Sequence, residues 1–190
     1  MEDREVNISR VGINVTYPSN FMLVASMNPC PCGYYGSKIR LCTCTEKQRN
    51  SYISKLSGPL LDRFDIQIQV YPVNYEELKN EKEETSEIIK ERVNKARNIQ
   101  KNRYLEYEIF SNSELTPKLI EKFCKIDINS KKILENAFRK LNLSARAYSK
   151  ILKVARTIAD LEEKENIEEE HILEAIQYRS LDKGDKWNIE

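Results

Sequence analysis

The order of apolar and polar positions divides the chain near residue 73. In VNISRVGINVTYP the two classes alternate about Gly12, which predicts two short strands and a tight turn near Arg10, Val11, Gly12 and Ile13, closed by Pro18. Residues 21–26 (FMLVAS) form a continuous apolar run between turn residues, the pattern of a strand covered on both faces and so of a parallel sheet's interior. Residues 46–57 carry Ile53 and Leu56 at helical spacing, and Gly58-Pro59 predicts the helix end. Residues 66–70 (IQIQV) alternate strictly ahead of Pro72 and predict an edge-proximal strand.

Beyond residue 73 the period becomes helical. A short acidic helix is expected near residues 75–80, then one over 85–103, with Thr85 as cap and Ile89, Val93 and Ala96 along one face. Helices follow over 116–124, with Pro117 at the first position, and over 130–141 behind Asn129 as cap. Ser144 opens the next, whose stripe runs Tyr148, Ile151, Leu152, Ala155, Ile158, Ala159, and the last covers 168–179. The expected organisation is a partial α/β core over 1–73, a β-hairpin plus parallel-sheet strands, followed by an all-helical domain over 74–190.

Composition narrows the class. The 190 residues hold 31 basic and 30 acidic side chains, 40% hydrophobic residues and only 5 glycines, the profile of a soluble, helix-leaning protein. No apolar run approaches the roughly 20 residues that span a bilayer, so a cytoplasmic protein with no membrane partner is expected. A net charge of +1 supplies no global basic field. Nucleic-acid binding would need a local patch or an oligomer.

Four of the five cysteines lie in NPCPCGYYGSKIRLCTCT, residues 28–45, which two prolines and two glycines keep from regular structure. Cys30 and Cys32, then Cys42 and Cys44, can close a tetrahedral zinc site that orders the loop. Free thiols are the alternative on spacing alone, ahead of disulfides. Cys124, in KLIEKFCKI, is expected to be buried as a small hydrophobe.

Three further residues carry candidate chemistry. Asn28 follows an apolar run, where an amide can meet a phosphate and orient a water, or can merely start an Asn-Pro turn. Arg63, in SGPLLDRFD, can present its fork to a phosphate on a neighbouring subunit, or pair locally with Asp62 or Asp65. Arg146 opens a long amphipathic helix, where the helix dipole favours anions, or is a solvated charge; Arg156 competes with it. No G-x-x-x-x-G-K-[ST] and no G-x-S-x-G occurs, and His171 is the only histidine, so the chain alone is not expected to be a complete enzyme.

In order, FMLVASMNPCPCG, SGPLLDRFDI, SARAYSKILKVARTIADLE and HILEAIQYR resemble the C-terminal part of magnesium-chelatase-like AAA+ proteins, in their bacterial ComM/YifB branch. The resemblance covers nearly the whole chain. It implies that Asn28 is sensor 1, Arg63 the arginine finger and Arg146 sensor 2, with Asn28 and Arg146 contacting nucleotide. It further implies a partial AAA+ core with a helical lid, a hexamer, and ATP with Mg2+ as cofactors. The family's nucleotide loop and magnesium-binding acidic strand lie upstream of Asn28, so this chain is expected to be inactive by itself. The opening hairpin, residues 6–17, resembles an insertion that faces the pore in related motors, which makes Arg10 the candidate DNA contact. The cysteine pairs favour the branch associated with DNA processing in natural transformation (competence), hence DNA remodelling such as branch migration. Two alternatives are a nonenzymatic interaction module with a structural zinc loop, and a motor for magnesium insertion into protoporphyrin.

Overall fold

The computed structural model describes residues 4–37, 39–70 and 84–179. They fall into two units, one reaching to Arg63 and the other beginning at Phe64. The expected boundary at residue 73 and the expected helix over 75–80 lie outside the described residues.

The first unit opens with the expected hairpin. Strands β1 (Glu5–Arg10) and β2 (Ile13–Pro18) pair antiparallel in the register Val6 to Tyr17, Ile8 to Val15 and Arg10 to Ile13. Gly12 takes a φ of +87° in the two-residue turn, a conformation that a side chain would strain. Because opposed residues share a face, Val6, Ile8, Val15 and Tyr17 form an apolar side. The other side is polar: Ser9 Oγ donates to Asn14 Oδ1 at 2.5 Å and Thr16 Oγ1 to Asn7 Oδ1 at 2.6 Å.

The two expected parallel-sheet strands are not formed. Residues 21–26 have no regular structure, with Met22 and Val24 more than 80% exposed, and residues 66–70 are likewise not a strand. A strand covered on both faces exists only through its ladder neighbours. Among the described residues the sole sheet is the hairpin's own pair, so neither run has a neighbouring strand to pair with.

Two helices complete this unit. Helix α1 (Glu46–Ile53) begins at a reciprocal cap, Gln48 N–H donating to Thr45 Oγ1 at 3.3 Å and Thr45 N–H to Gln48 Oε1 at 2.9 Å. It ends before Ser54, short of Gly58-Pro59. That dipeptide instead starts α2 (Gly58–Leu61), capped by Ser57, since proline's missing N–H costs nothing in a first turn.

The second unit contains α3 (Ser86–Arg103), a 3-10 turn (Asn112–Glu114), α4 (Pro117–Phe123), α5 (Ile128–Leu141), α6 (Ala145–Leu161) and α7 (Glu169–Gln177). Helix α6 is its axis, packing on α3, α4, α7 and the 3-10 turn, while α5 packs on α7. Its stripe Ala147, Ile151, Leu152, Ala155 and Ala159 is almost fully buried. Tyr148 lies at the stripe's edge, 39% exposed and edge-on to Phe138. On α3 the expected apolar face is narrower than its sequence suggests: Ile89 and Val93 stay exposed and only Ala96 and Gln100 are buried.

Caps also differ in part. Ser144 Oγ accepts from Ala147 N–H at 3.1 Å as expected, but Asp127, not Asn129, caps α5 through Ser130 N–H at 2.7 Å. Thr85 precedes α3 without a side-chain cap bond. Cys124 is buried as expected, and burial pushes its thiol up to about 11. No described helix is long and apolar enough to cross a membrane.

A polar knot lies inside this unit. Asp160, fully buried on α6, accepts from both terminal nitrogens of Arg103 at 2.5 and 2.9 Å, from Arg156 Nε at 3.1 Å and from Asn112 Nδ2 at 2.8 Å. Arg156 also donates to the carbonyls of Lys164 (2.6 Å) and Glu165 (2.7 Å), and Tyr104 Oη to Asn112 Oδ1 (2.5 Å). One carboxylate thus joins α3, the 3-10 turn, α6 and the approach to α7. Asp160→Ala would strand two guanidinium groups in the interior, and urea unfolding should show a loss of about 3–5 kcal/mol. A loss under about 1 kcal/mol would mean that the knot is solvated rather than structural.

Candidate functional site: the cysteine loop and three arginines

The cysteine loop is folded around its sulfurs. A turn at residues 30–33, with Gly33 N–H donating to Cys30 O at 3.0 Å, brings Cys30 Sγ to 3.3 Å from Cys32 Sγ and 3.7 Å from Cys42 Sγ. Cys32 and Cys42 are 3.5 Å apart, and all four sulfurs lie within 4.8 Å of one another. A tetrahedral zinc with Zn–S bonds near 2.3 Å requires S···S separations of about 3.8 Å, so this donor set fits the ion in number, type and spacing. All four cysteines are free thiols.

Their acidities are split. Backbone hydrogen bonding, from Tyr34 first and then Thr43, holds the Cys32 thiol down at about 5, while desolvation pushes Cys44 up to about 12 and also raises Cys42. Cys32 is therefore more acidic than Cys42 and Cys44 in the metal-free cluster. Arg49, on α1, clamps the loop's far end, donating to Cys44 O at 2.7 Å and lying 4.6 Å from the centre of the Tyr35 ring.

Asn28 sits where the irregular segment enters this loop, exposed, with its amide facing Gly33: a Cβ there would lie 3.8 Å from Asn28 Cγ and Nδ2. The structure thus brings Asn28 and the cysteines together. Arg63 follows α2 and is partly buried, its Nη1 donating to Pro59 O at 2.9 Å. Arg146, in the first turn of α6, is exposed and belongs to the other unit. Arg156, its competitor, is committed to the interior through Asp160 and two carbonyls. Arg10 ends β1, exposed beside the turn. His171 is spent on structure: its Nδ1 accepts from Glu168 N–H at 2.8 Å at the start of α7, and its Nε2 faces Glu162 at 3.1 Å.

Residues 64–67 hold contacts that sequence patterning gives no signal for. Arg179, fully buried at the end of the helical unit, donates to Phe64 O, Gln67 N–H donates to Tyr178 O at 2.8 Å, and Lys150 pairs with Asp65 at 3.0 Å. The residues just after Arg63 are fastened to α6 and to the end of α7.

Two family models match the chain. The family model for magnesium chelatase, subunit ChlI C-terminal, matches residues 83–179, and that for magnesium chelatase, subunit ChlI, matches residues 1–78. The chain is 41% identical over 184 residues to competence protein ComM of Haemophilus influenzae, covering 95% of this chain and 35% of that protein. It is 37% identical to uncharacterized protein YifB of Salmonella typhimurium and 38% identical to that of Escherichia coli, each over 186 residues, covering 96% of this chain and 35% of each relative. It therefore spans about a third of the length of these curated relatives.

The split acidities make a prediction for the reduced, metal-free chain. Alkylation near pH 6.5 should modify Cys32 well ahead of Cys44 and Cys124, because only the thiolate reacts. Peptide mapping measures the order, and equal labelling of the three would contradict the assignment of the ionised sulfur.

Proposed function

The chain belongs to the magnesium-chelatase-like family of AAA+-type ATPases, with ComM and YifB among its relatives, and from that premise we propose that it supplies the sensors, arginine finger and lid of a hexameric DNA-remodelling motor. The observation that carries this reading is the ordered match to both ChlI models. Arg63 leaves a short capped helix and Arg146 opens α6, positions from which a guanidinium can meet a phosphate without paying to unfold packed structure. In this reading Arg63 reaches the nucleotide of a neighbouring subunit, Arg146 reads nucleotide from the lid, and Asn28 orients the attacking water. ATP with Mg2+ would supply the transferred phosphoryl group and neutralise its charge. These 190 residues carry no phosphate-cradling G-x-x-x-x-G-K-[ST] loop.

DNA is favoured as the substrate over a porphyrin because the 41%-identical relative is named a competence protein. Arg10, exposed at the hairpin turn, is the proposed DNA contact. Zinc, held by Cys30, Cys32, Cys42 and Cys44, would take the place of an apolar core in the loop that carries Asn28 up to its turn.

Three experiments test the assignment. In an intact ATPase assembly, Arg63→Ala should lower hydrolysis about 10³-fold or more while nucleotide affinity persists, and Arg146→Ala should weaken affinity as well as rate. Mixing Arg63→Ala subunits with phosphate-loop mutants should restore activity at interfaces where an intact finger meets an intact loop; a mixture that exchanges subunits yet stays dead would remove Arg63 from the reaction. For the metal, one zinc per chain is expected. Near neutral pH Cys32 is already ionised, whereas Cys42 and Cys44 must each release a proton on binding. Apparent affinity should therefore rise with pH, by about a hundredfold per unit or more, and a pH-independent affinity or a stoichiometry near zero would overturn the site.

A further inference from the structure

The chain's near-neutral charge hides a segregation. Residues 6–45, forty in a row, contain no aspartate or glutamate, while Arg10, Lys38 and Arg40 lie among them. Residues 1–63 hold 8 basic and 5 acidic side chains, net +3, and against the chain's total of +1 residues 64–190 sum to −2. The first unit is thus the basic one, and the stretch from Val6 in the hairpin through the cysteine loop is its acid-free part.

Within that part the loop displays an aromatic and cationic tip. Residues 34–37 form a turn closed by Ser37 N–H donating to Tyr34 O at 3.0 Å, with Gly36 at a φ of +79°. The guanidinium of Arg40 lies 4.7 Å from the centre of the Tyr34 ring, and both residues are exposed. Among the described residues Arg40 has no carboxylate partner. The neighbouring stack of Arg49 on Tyr35 is different, because Arg49 is tied to Cys44 O and serves the loop itself. Beside Arg40, Ile39 and Leu41 are 68% and 87% exposed.

We propose that this tip, Tyr34 with Arg40, is a contact site for single-stranded nucleic acid, in which a base stacks on the tyrosine and the guanidinium meets a phosphate. The inference deepens the DNA reading above and adds a contact remote in sequence from the hairpin. An aromatic platform is indifferent to base identity, and a cation held beside it places the backbone charge, the combination that sequence-tolerant single-strand binding needs. An acidic peptide would satisfy the arginine but leave the ring face and the flanking apolar side chains uncovered, which favours the nucleic acid. The thiol cluster gives the tip its fixed base, so the contact is preorganised where the unit has little apolar core.

Fluorescence anisotropy of a labelled oligothymidylate, titrated with the full zinc-loaded chain between low and moderate salt, separates the terms. Tyr34→Ala should weaken binding about tenfold with an unchanged salt slope, and Tyr34→Trp should restore it. Arg40→Ala should reduce the slope of log affinity against log salt by about 0.7, the value for one phosphate on a single strand. Zinc content equal to that of the parent chain distinguishes a lost contact from a collapsed loop. If Arg10→Ala weakens binding while Tyr34→Ala and Arg40→Ala do not, the tip is overturned and the hairpin reading survives. If the tip variants weaken binding and Arg10→Ala does not, the reverse holds. Absence of any binding, or displacement of the oligonucleotide by polyglutamate at equal charge, would overturn the inference.

Discussion

The helical unit depends on the neutralisation of two arginines by one buried carboxylate. Asp160 has no exposure, and its partners come from α3, from the 3-10 turn and from its own helix. Burying charge is tolerated only when every donor is answered, and here Arg156 spends its remaining donors on the carbonyls that lead out of α6. This fixes the C-terminal end of a 17-residue helix about 25 Å long. The opposite end carries Arg146. The knot also removes Arg156 from consideration as an anion ligand.

The first unit is organised on another principle. Cys30 is its only fully buried apolar residue among those described, and the apolar side of the hairpin and the run 21–24 remain open. Such a unit cannot draw order from hydrophobic burial. Its fixed points are local: a bonded hairpin face, a reciprocal cap on α1, and four sulfurs gathered within 4.8 Å. In the proposed zinc form the metal replaces the core, and the same loop carries both the turn next to Asn28 and the exposed Tyr34 and Arg40.

What the sequence made legible follows the range of the forces involved. The hairpin, the cysteine loop and the helices of the second unit were readable because alternation, Gly and Pro punctuation and the 3.6 period act over a few residues. The apolar run 21–26 and the alternating run 66–70 were misread as strands because a strand belongs to its ladder, and none of the described residues supplies one. Gly58-Pro59 was misread because the pair suits a helix end and a helix start equally well until Ser57 caps it. Asp127 and Asn129 were both plausible caps two residues apart, and backbone geometry chose the first. The charge pairs were illegible: Arg103 and Asp160 are 57 residues apart, and Arg179 reaches back 115 residues to Phe64.

Two units with two separate ionic devices should lose order separately. Hydrogen exchange of the chain, followed by peptide with stoichiometric zinc and again with a chelator, measures this directly. Helices α3 to α7 should keep their protection in both conditions, while residues 30–53 should be protected only with the metal. Protection of residues 30–53 that survives the chelator, or a helical unit that loses protection along with them, would contradict the division of the molecule into a carboxylate-held and a thiolate-held half.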